Sequence, residues 1–213
     1  MTSLNLQHDF ATIADGLESV TLMRRDGAGS TPLANALRRA VTTREAEQSD
    51  GRYTAADVRW HLDASELADP PRLGDRLLDT AGETWTVLET RLATNGSRWA
   101  CLCRNLAIVG GLDTTIAIRR ERVTKGAGGA VERTWENFRT GVRARIQIQE
   151  AQRREEHGRQ AGLVTAKIFV AEQIAVDNGY QIVAADGTVF EITGFRSPDQ
   201  IGRLFEIDAV RRL

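Results

Sequence analysis

The residues from Leu73 to Arg104, LGDRLLDTAGETWTVLETRLATNGSRWACLCR, return in altered form near the other end of the chain as NGYQIVAADGTVFEITGFRSPDQIGRLFEIDA, Asn178 to Ala209. Gly74/Gly179, Gly82/Gly187, Trp85/Phe190, Val87/Ile192, Arg91/Arg196, Arg98/Arg203 and Leu102/Ile207 all fall at one offset of 105 residues, without a gap. One unit is used twice, and any fold assigned to one copy must suit the other.

Both copies share a physical grammar. A short apolar strand, Leu77-Leu78 or Ile182-Val183, meets a turn centred on Gly82 or Gly187, where a residue without Cβ takes positive φ at little cost. An alternating strand follows, with Trp85 and Val87, or Phe190 and Ile192, on one face and polar side chains on the other. A period of two is that of a half-buried strand. After a polar loop the last strand alternates again, through Trp99 and Leu102 or Leu204, Phe205 and Ile207.

The earlier part of each copy fits the same plan. Val20 to Met23 begins a first strand, and Met23-Arg24-Arg25 resembles Ile118-Arg119-Arg120 at an offset of 95. LANALRRAV alone looks helical, but its partner FRTGVRARIQIQEA alternates, and Leu37/Val142 and Val41/Ile146 align at 105; the element is therefore expected to be extended in both copies. Polar stretches follow, Thr42 to Thr54 and Glu150 to Gly162, expected to be long charged loops. Such loops are either simply solvated or carry function on a rigid scaffold. Strands return at Val58, Trp60 and Leu62, and at Val164, Ala166, Ile168 and Val170. RVTKGAGGAVER is expected to be a longer, glycine-tipped loop of the second copy.

The expected fold is all-β: two tandem small antiparallel β-barrel or sandwich domains, residues 18–109 and 110–213, of five or six strands each. A short N-terminal helix or arm, residues 1–17, precedes them. The boundary is placed near VGGLD, Val109 to Asp113. Sheets of this kind hide their edges by closure or by pairing with neighbours, and pairing with neighbours is the option expected here.

Composition sets limits on partners. Residues 1–109 carry 12 basic against 15 acidic side chains and residues 110–213 carry 16 against 14, so neither half is a basic platform for gripping nucleic acid. No run of about 18 apolar residues suggests a membrane span, and the N-terminus lacks the pattern of a secretion signal, so the chain is expected to be made in the cytoplasm. Arginine makes up all the basic residues except Lys125 and Lys167, a bias that serves interfaces but also follows from a GC-rich genome.

The search for chemistry returns little. Cys101 and Cys103 stand two apart on a strand, poor geometry for a mutual disulfide, and read as buried core or interface thiols. His8, His61 and His157 are isolated in sequence, so no metal site is expected. Asp75, Asp79 and Glu83 sit close together and either bind a cation, act as acid and base, or are solvated turn residues, the reading favoured here. Gly126, Gly128 and Gly129 read as a flexible tip rather than a phosphate cradle. No catalytic residue, cofactor or metal ligand is assigned, and the chain is not expected to be an enzyme.

The second copy resembles the head-tail joining (head-tail adaptor or stopper, head completion) family of tailed bacteriophages. The resemblance rests on the strand Thr115 to Arg120, Trp135 followed by VRARIQ, Glu150-Ala151, the strand Lys167 to Val170, NGYQIVAADGTVFEITGFRSPD, and RLFEIDAV at Arg203 to Val210. The first copy departs further, lacking the tryptophan before its second strand, and the tandem arrangement is unlike the usual single-domain member. The resemblance implies a structural protein of the virion neck, assembled in the host cytoplasm. It implies a homo-oligomeric ring between a portal or adaptor protein and a tail or tail-terminator protein, around double-stranded DNA in transit and without sequence specificity. It also makes the two polar stretches candidates for a channel or inter-subunit loop: Arg44, Glu45, Glu47 and Arg52 in the first copy, Arg153, Arg154, Glu155, Glu156 and Arg159 in the second. A tail-completion or terminator ring protein is a close alternative. A pair of nucleic-acid-binding barrels, stacking bases on Trp60, Trp85, Trp99 or Phe190, is a more distant one.

Overall fold

The structure, a computed structural model, describes residues 15–93, 95–125, 131–156, 159–177 and 179–212, with the side chains of 150–156 and 159–161 left aside. The expected N-terminal arm therefore lies, up to residue 14, outside the described residues, as do the glycine tip at 126–130 and His157. The chain divides into two compact units, Met1–Val109 and Gly110–Leu213.

Each unit is a closed, six-stranded antiparallel barrel. The first contains β1 (Leu17–Met23), β2 (Ser30–Ala40), β3 (Val58–Asp63), β4 (Arg76–Leu78), β5 (Thr84–Ala93) and β6 (Arg98–Arg104), in the order β1-β2-β3-β6-β5-β4 with β4 closing onto β1. The second contains β7 (Thr114–Lys125), β8 (Val131–Glu156), β9 (Arg159–Val170), β10 (Tyr180–Ala184), β11 (Val189–Arg196) and β12 (Phe205–Arg212), in the corresponding order β7-β8-β9-β12-β11-β10 with β10 closing onto β7. The two are the same barrel drawn twice, and the duplication and the all-β fold expected from the sequence are both present. LANALRRAV lies in β2 as a strand, although its local pattern is helical.

Strand pairing corrects the alignment of the copies in detail. The offset of 105 holds for β4 and β5: Gly82 and Gly187 both have positive φ, 81° and 83°, and each sits in a turn closed by the same pair of backbone hydrogen bonds. Both copies also carry a β-bulge at the same place, between Val87 and Glu89 in β5 and between Ile192 and Gly194 in β11. Elsewhere insertions shift the count. Leu22 and Leu77 face each other where Ile118 and Ile182 do, so the first strands match at 96 rather than 95. Trp60 lies opposite Cys101 as Ile168 lies opposite Ile207, which moves β3 to an offset of 108 and β6 to 106. The structural partners are therefore Cys101 with Ile207 and Leu102 with Asp208, not Leu102 with Ile207. The slip arises in the loop before the last strand, where one extra residue is absorbed without disturbing the pleat.

Burial follows this register. The first core gathers Val20, Leu22, Leu33, Trp60, Leu62, Leu77, Trp85, Val87, Cys101 and Cys103; the second gathers Ile116, Ile118, Val142, Ile168, Val170, Ile182, Phe190, Ile192 and Ile207. Trp60, Trp85 and Phe190 are buried and Trp99 is half-buried, as the alternation requires. Closure of both barrels overturns the expectation that their own edges are lent to neighbours, because in a closed barrel every strand is paired on both sides.

Leu22 and Ile118 are both fully buried at equivalent places. Truncating either to alanine should cost about 3 kcal/mol, the usual price of a core cavity. In hydrogen exchange of Leu22→Ala, amides of β1, β2 and β4 should lose protection; unchanged protection there would refute the assigned core.

Candidate assembly surfaces

Of the three acidic side chains that look solvated in sequence, Asp75 and Asp79 are buried and Glu83 is half-buried. Asp75 and Asp79 are 1% and 6% exposed. One carboxylate oxygen of Asp75 accepts from Arg24 Nη1 (2.9 Å) and Arg72 N (2.9 Å), the other from Arg25 N (3.0 Å). Asp79 accepts from Ala81 N, Glu83 N and Trp85 Nε1 within 3.0 Å, with Arg38 Nη1 at 3.4 Å. Glu83 accepts from Asn105 Nδ2 at 2.8 Å. Their lone pairs are spent on holding turns, and among the described residues no three His, Cys, Asp or Glu side chains gather as a metal site. The corresponding positions in the second barrel, Tyr180, Ala184 and Thr188, need no such network.

The cysteines are free thiols buried in the first core. Burial pushes Cys101 up to about 12 and Cys103 well above its ordinary range, so neither presents a thiolate. His61 points outward from β3. Burial, and then the guanidinium charges of Arg98, Arg39, Arg59 and Arg91, hold its imidazole down to about 4.

The two polar stretches differ from each other, contrary to their expected equivalence. Thr42 to Thr54 contains a short helix, Thr43–Glu47, closed by a capping box: Thr42 Oγ1 accepts from Glu45 N, and the Glu45 carboxylate accepts from Thr42 N. Glu45 also takes Arg59 Nη1 at 2.8 Å, and these bonds pull its carboxyl down to about 2. It belongs to the scaffold. Arg52 is exposed but bonds Ser49 O through Nε, while Arg44 and Glu47 are exposed. The described residues between Glu150 and Gly162 are paired strands rather than a loop, with Arg153 opposite Gly162, Arg154 opposite Ala161, Glu155 opposite Gln160 and Glu156 opposite Arg159. The structure thus separates Arg44, Glu45, Glu47 and Arg52 on one barrel from Arg153, Arg154, Glu155, Glu156 and Arg159 on an arm of the other.

The feature that sequence reasoning missed is a second arm. β8 is 26 residues long, a contour of roughly 85 Å at about 3.3 Å per residue, far beyond the need of a small barrel. Its middle serves the barrel. Its N-terminal part pairs with β7 beyond Arg120, the last β7 residue that β10 reaches, so that Glu121–Lys125 and Val131–Trp135 form a two-stranded ribbon. The root is fixed by an edge-to-face contact of Phe138 on Tyr180 (5.3 Å) and by Arg120 lying 5.9 Å from the Phe138 ring. Directly opposed residues share a face of an antiparallel pair. One face is wholly polar, with Arg120 and Arg122 paired to Glu136. The other carries Val123, Val131 and Trp135, which are 55%, 58% and 42% exposed, alongside Glu121, Lys125 and Arg133. The alternation of RVTK and VERTW was the available signal, masked by the glycines between them.

On the first barrel, an open groove of about 610 Å³ runs between β1, β2 and the end of β4, lined by Val20, Pro32, Leu33, Ala34 and Leu78 with Glu66 and Asp79. Glu66 is fixed at its lip, accepting from Ala34 N and Asn35 Nδ2, both at 2.8 Å. The fold is that of a two-barrel β-protein whose described surface carries a ribbon on the second barrel and a groove on the first. Comparison with protein-family models, with curated proteins and with solved structures yields no match.

Two measurements test this description. Asp79→Ala leaves Trp85 Nε1 and two backbone amides without their acceptor, and should destabilise the first barrel by about 2–4 kcal/mol in denaturant titration. A loss near zero would mean water satisfies them. His61 keeps a folded value near 4 against an ordinary 6.5, so the unfolded chain takes up its proton first. The stability present above pH 6.5 should therefore decline as pH falls toward 4. His61→Gln should flatten that part of the profile, and an NMR midpoint for His61 near 6.5 would contradict the burial.

Proposed function

We propose that this chain is a structural subunit of the neck of a tailed-phage particle, forming a closed homo-oligomeric ring between portal and tail that extends the DNA channel and docks the tail. The observation that carries the reading is the second barrel itself. The residues on which the family resemblance rests are spread over all six of its strands, in order, and frame one closed barrel with projecting arms.

The physical requirements of such a ring agree with the chain. A subunit that repeats around a circle needs a heterologous contact, with unlike surfaces on its two sides. Two barrels of one topology but different surfaces provide such unlike sides. The portal or adaptor on one side, the tail or tail-terminator protein on the other, and passing double-stranded DNA are the partners of this reading. Mixed charge suits the conduit, since a strongly basic wall would grip the phosphates. Of the four aromatics a nucleic-acid-binding barrel would use to stack bases, Trp60, Trp85 and Phe190 lie in the cores and Trp99 is half-buried against the first core.

Electron microscopy of the purified full chain tests the proposal. Closed rings of six chains, hence twelve barrels, are expected. A chain that stays monomeric at every concentration would refute the ring, and a twelve-chain count would reject the six-fold form. Deletion from the producing phage should leave DNA-filled or leaking heads beside separate, finished tails. Heads bearing malformed tails would assign the chain to tail completion instead.

A further inference from the structure

We propose that the segment ahead of β1, residues 4–14, folds back as an amphipathic helix over an outward apolar strip of its own first barrel, setting Ile13, Phe10 and Leu6 against Leu37, His61 and Ala100. The contact lies within one chain and does not rest on the ring reading.

The strip follows from the register of the barrel. Ala36, Trp60 and Cys101 belong to the core, and side chains alternate along a strand, so their neighbours Leu37, His61 and Ala100 face outward. These three are direct partners across β2, β3 and β6, and Leu17 at the start of β1 lies opposite Leu37. Yet Leu37 and Ala100 are only 7% and 6% exposed, as is Leu102 in the next row at 5%, and none of them belongs to the core cluster. The His61 ring agrees with them: its Nδ1 is buried, with no hydrogen-bond partner among the described residues. An outward row buried this deeply is a covered row.

Spacing, size and charge select the cover. Leu6, Phe10, Ile13 and Leu17 recur at helical spacing. A helix this short is marginal in water, and a surface under its apolar face supplies what it lacks. Gly16, between the segment and β1, holds φ 77°, the left-handed conformation in which helices commonly end. Leu37, His61 and Ala100 stand on adjacent strands, roughly 4.8 Å apart. Ile13, Phe10 and Leu6 are separated by about 4.5 and 6 Å along a helix axis, which matches that ladder. Residues 1–16 carry Asp9 and Asp15 and no lysine or arginine, whereas the guanidiniums of Arg98, Arg39, Arg59 and Arg91 surround His61. Asp9 stands at the border of the apolar face, where its carboxylate meets them. Because Leu17 lies opposite Leu37, the segment joins the barrel at the edge of the strip and reaches it without a second copy.

Two measurements on the full chain test the contact. With Phe10→Cys and His61→Cys, mild oxidation should close a disulfide within single chains, while Cys101 and Cys103 stay buried in the core. His8→Cys, on the far side of the helix, should give none with His61→Cys. Equal cross-linking of both pairs, or of neither, overturns the docking, and a cross-linked dimer assigns the strip to the segment of another copy and overturns the fold-back. In the second measurement Leu6→Gln and Phe10→Gln remove the apolar anchors without adding charge, and circular dichroism checks the fold. Water then returns to the imidazole, and its NMR midpoint should rise from about 4 by about one pH unit or more. An unchanged midpoint in the folded variant overturns the cover.

Discussion

Each unit depends on a strand pair that closes a sheet upon itself. In the first barrel the pair is small: β4 is three residues, Arg76–Leu78, set against Met23, Leu22 and Thr21 of β1. Three ladder positions are few to hold a closed sheet, and the chain reinforces them with Asp75 at the entrance to β4. Its carboxylate joins Arg24 and Arg25 at the end of β1 to Arg72 before β4, so one buried side chain ties the two strands together at the Met23–Arg76 end of the seam. A buried carboxylate is tolerable only when its acceptors are filled, and here they are. Gly74 completes the staple: a Cβ there would meet Arg25 Cδ at 2.7 Å, and the backbone already has φ 86°.

The second barrel solves the same problem without a buried carboxylate among its described residues. β10 has five residues paired to β7, Tyr180 to Ala184, and the Asp75 position is Tyr180, packed on Phe138. The interiors diverge in the same sense. Where the first barrel sets Trp60 against Trp85 at 6.5 Å, with the Arg38 guanidinium 5.6 Å and 5.7 Å from the two rings, the second places Ile168, Phe190 and Ile146. A longer apolar seam allows a purely apolar core; a shorter one is accompanied by directional hydrogen bonds. All the buried polar side chains among the described residues, Asp57 with its two 2.7 Å bonds to Arg104 included, belong to the first unit.

This division explains what was legible in the sequence. Period-two alternation and paired glycines revealed the duplication, because turns closed by Gly82 and Gly187 tolerate little else and the core face repeats along each strand. Closure was not legible, since the residues that pair β1 with β4 lie more than fifty apart in sequence and carry no local mark. Nor was the burial of Asp75 and Asp79: acidic residues beside glycines are usually solvated, and only tertiary partners such as Arg24 and Trp85 Nε1 make them structural. The Glu150 to Gly162 stretch looked like a loop because charge dominates it, yet strands that leave a barrel have no inner face to bury and lose their hydrophobic period.

The same argument limits where assembly can occur. Closing a sheet removes its edges, so a barrel of this kind has no strand to offer along its body. Unpaired backbone returns only where a strand outruns its neighbours. In the second unit β8 does so furthest, continuing past the barrel in both directions, first with β7 and then with β9. In the first unit β2 outruns β3 before Ala36 and β5 outruns β4 after Thr86, but among its described residues no two-stranded arm leaves the barrel between β1 and β2 or between β2 and β3: a tight turn at Arg24–Gly29 joins the first pair, and the capped helix Thr43–Glu47 lies between the second. Duplication gave two copies of one sealed scaffold. Lengthening one strand in only one of them makes the copies unlike, and unlikeness between the two sides of a subunit is the geometric condition for a contact that repeats around a circle.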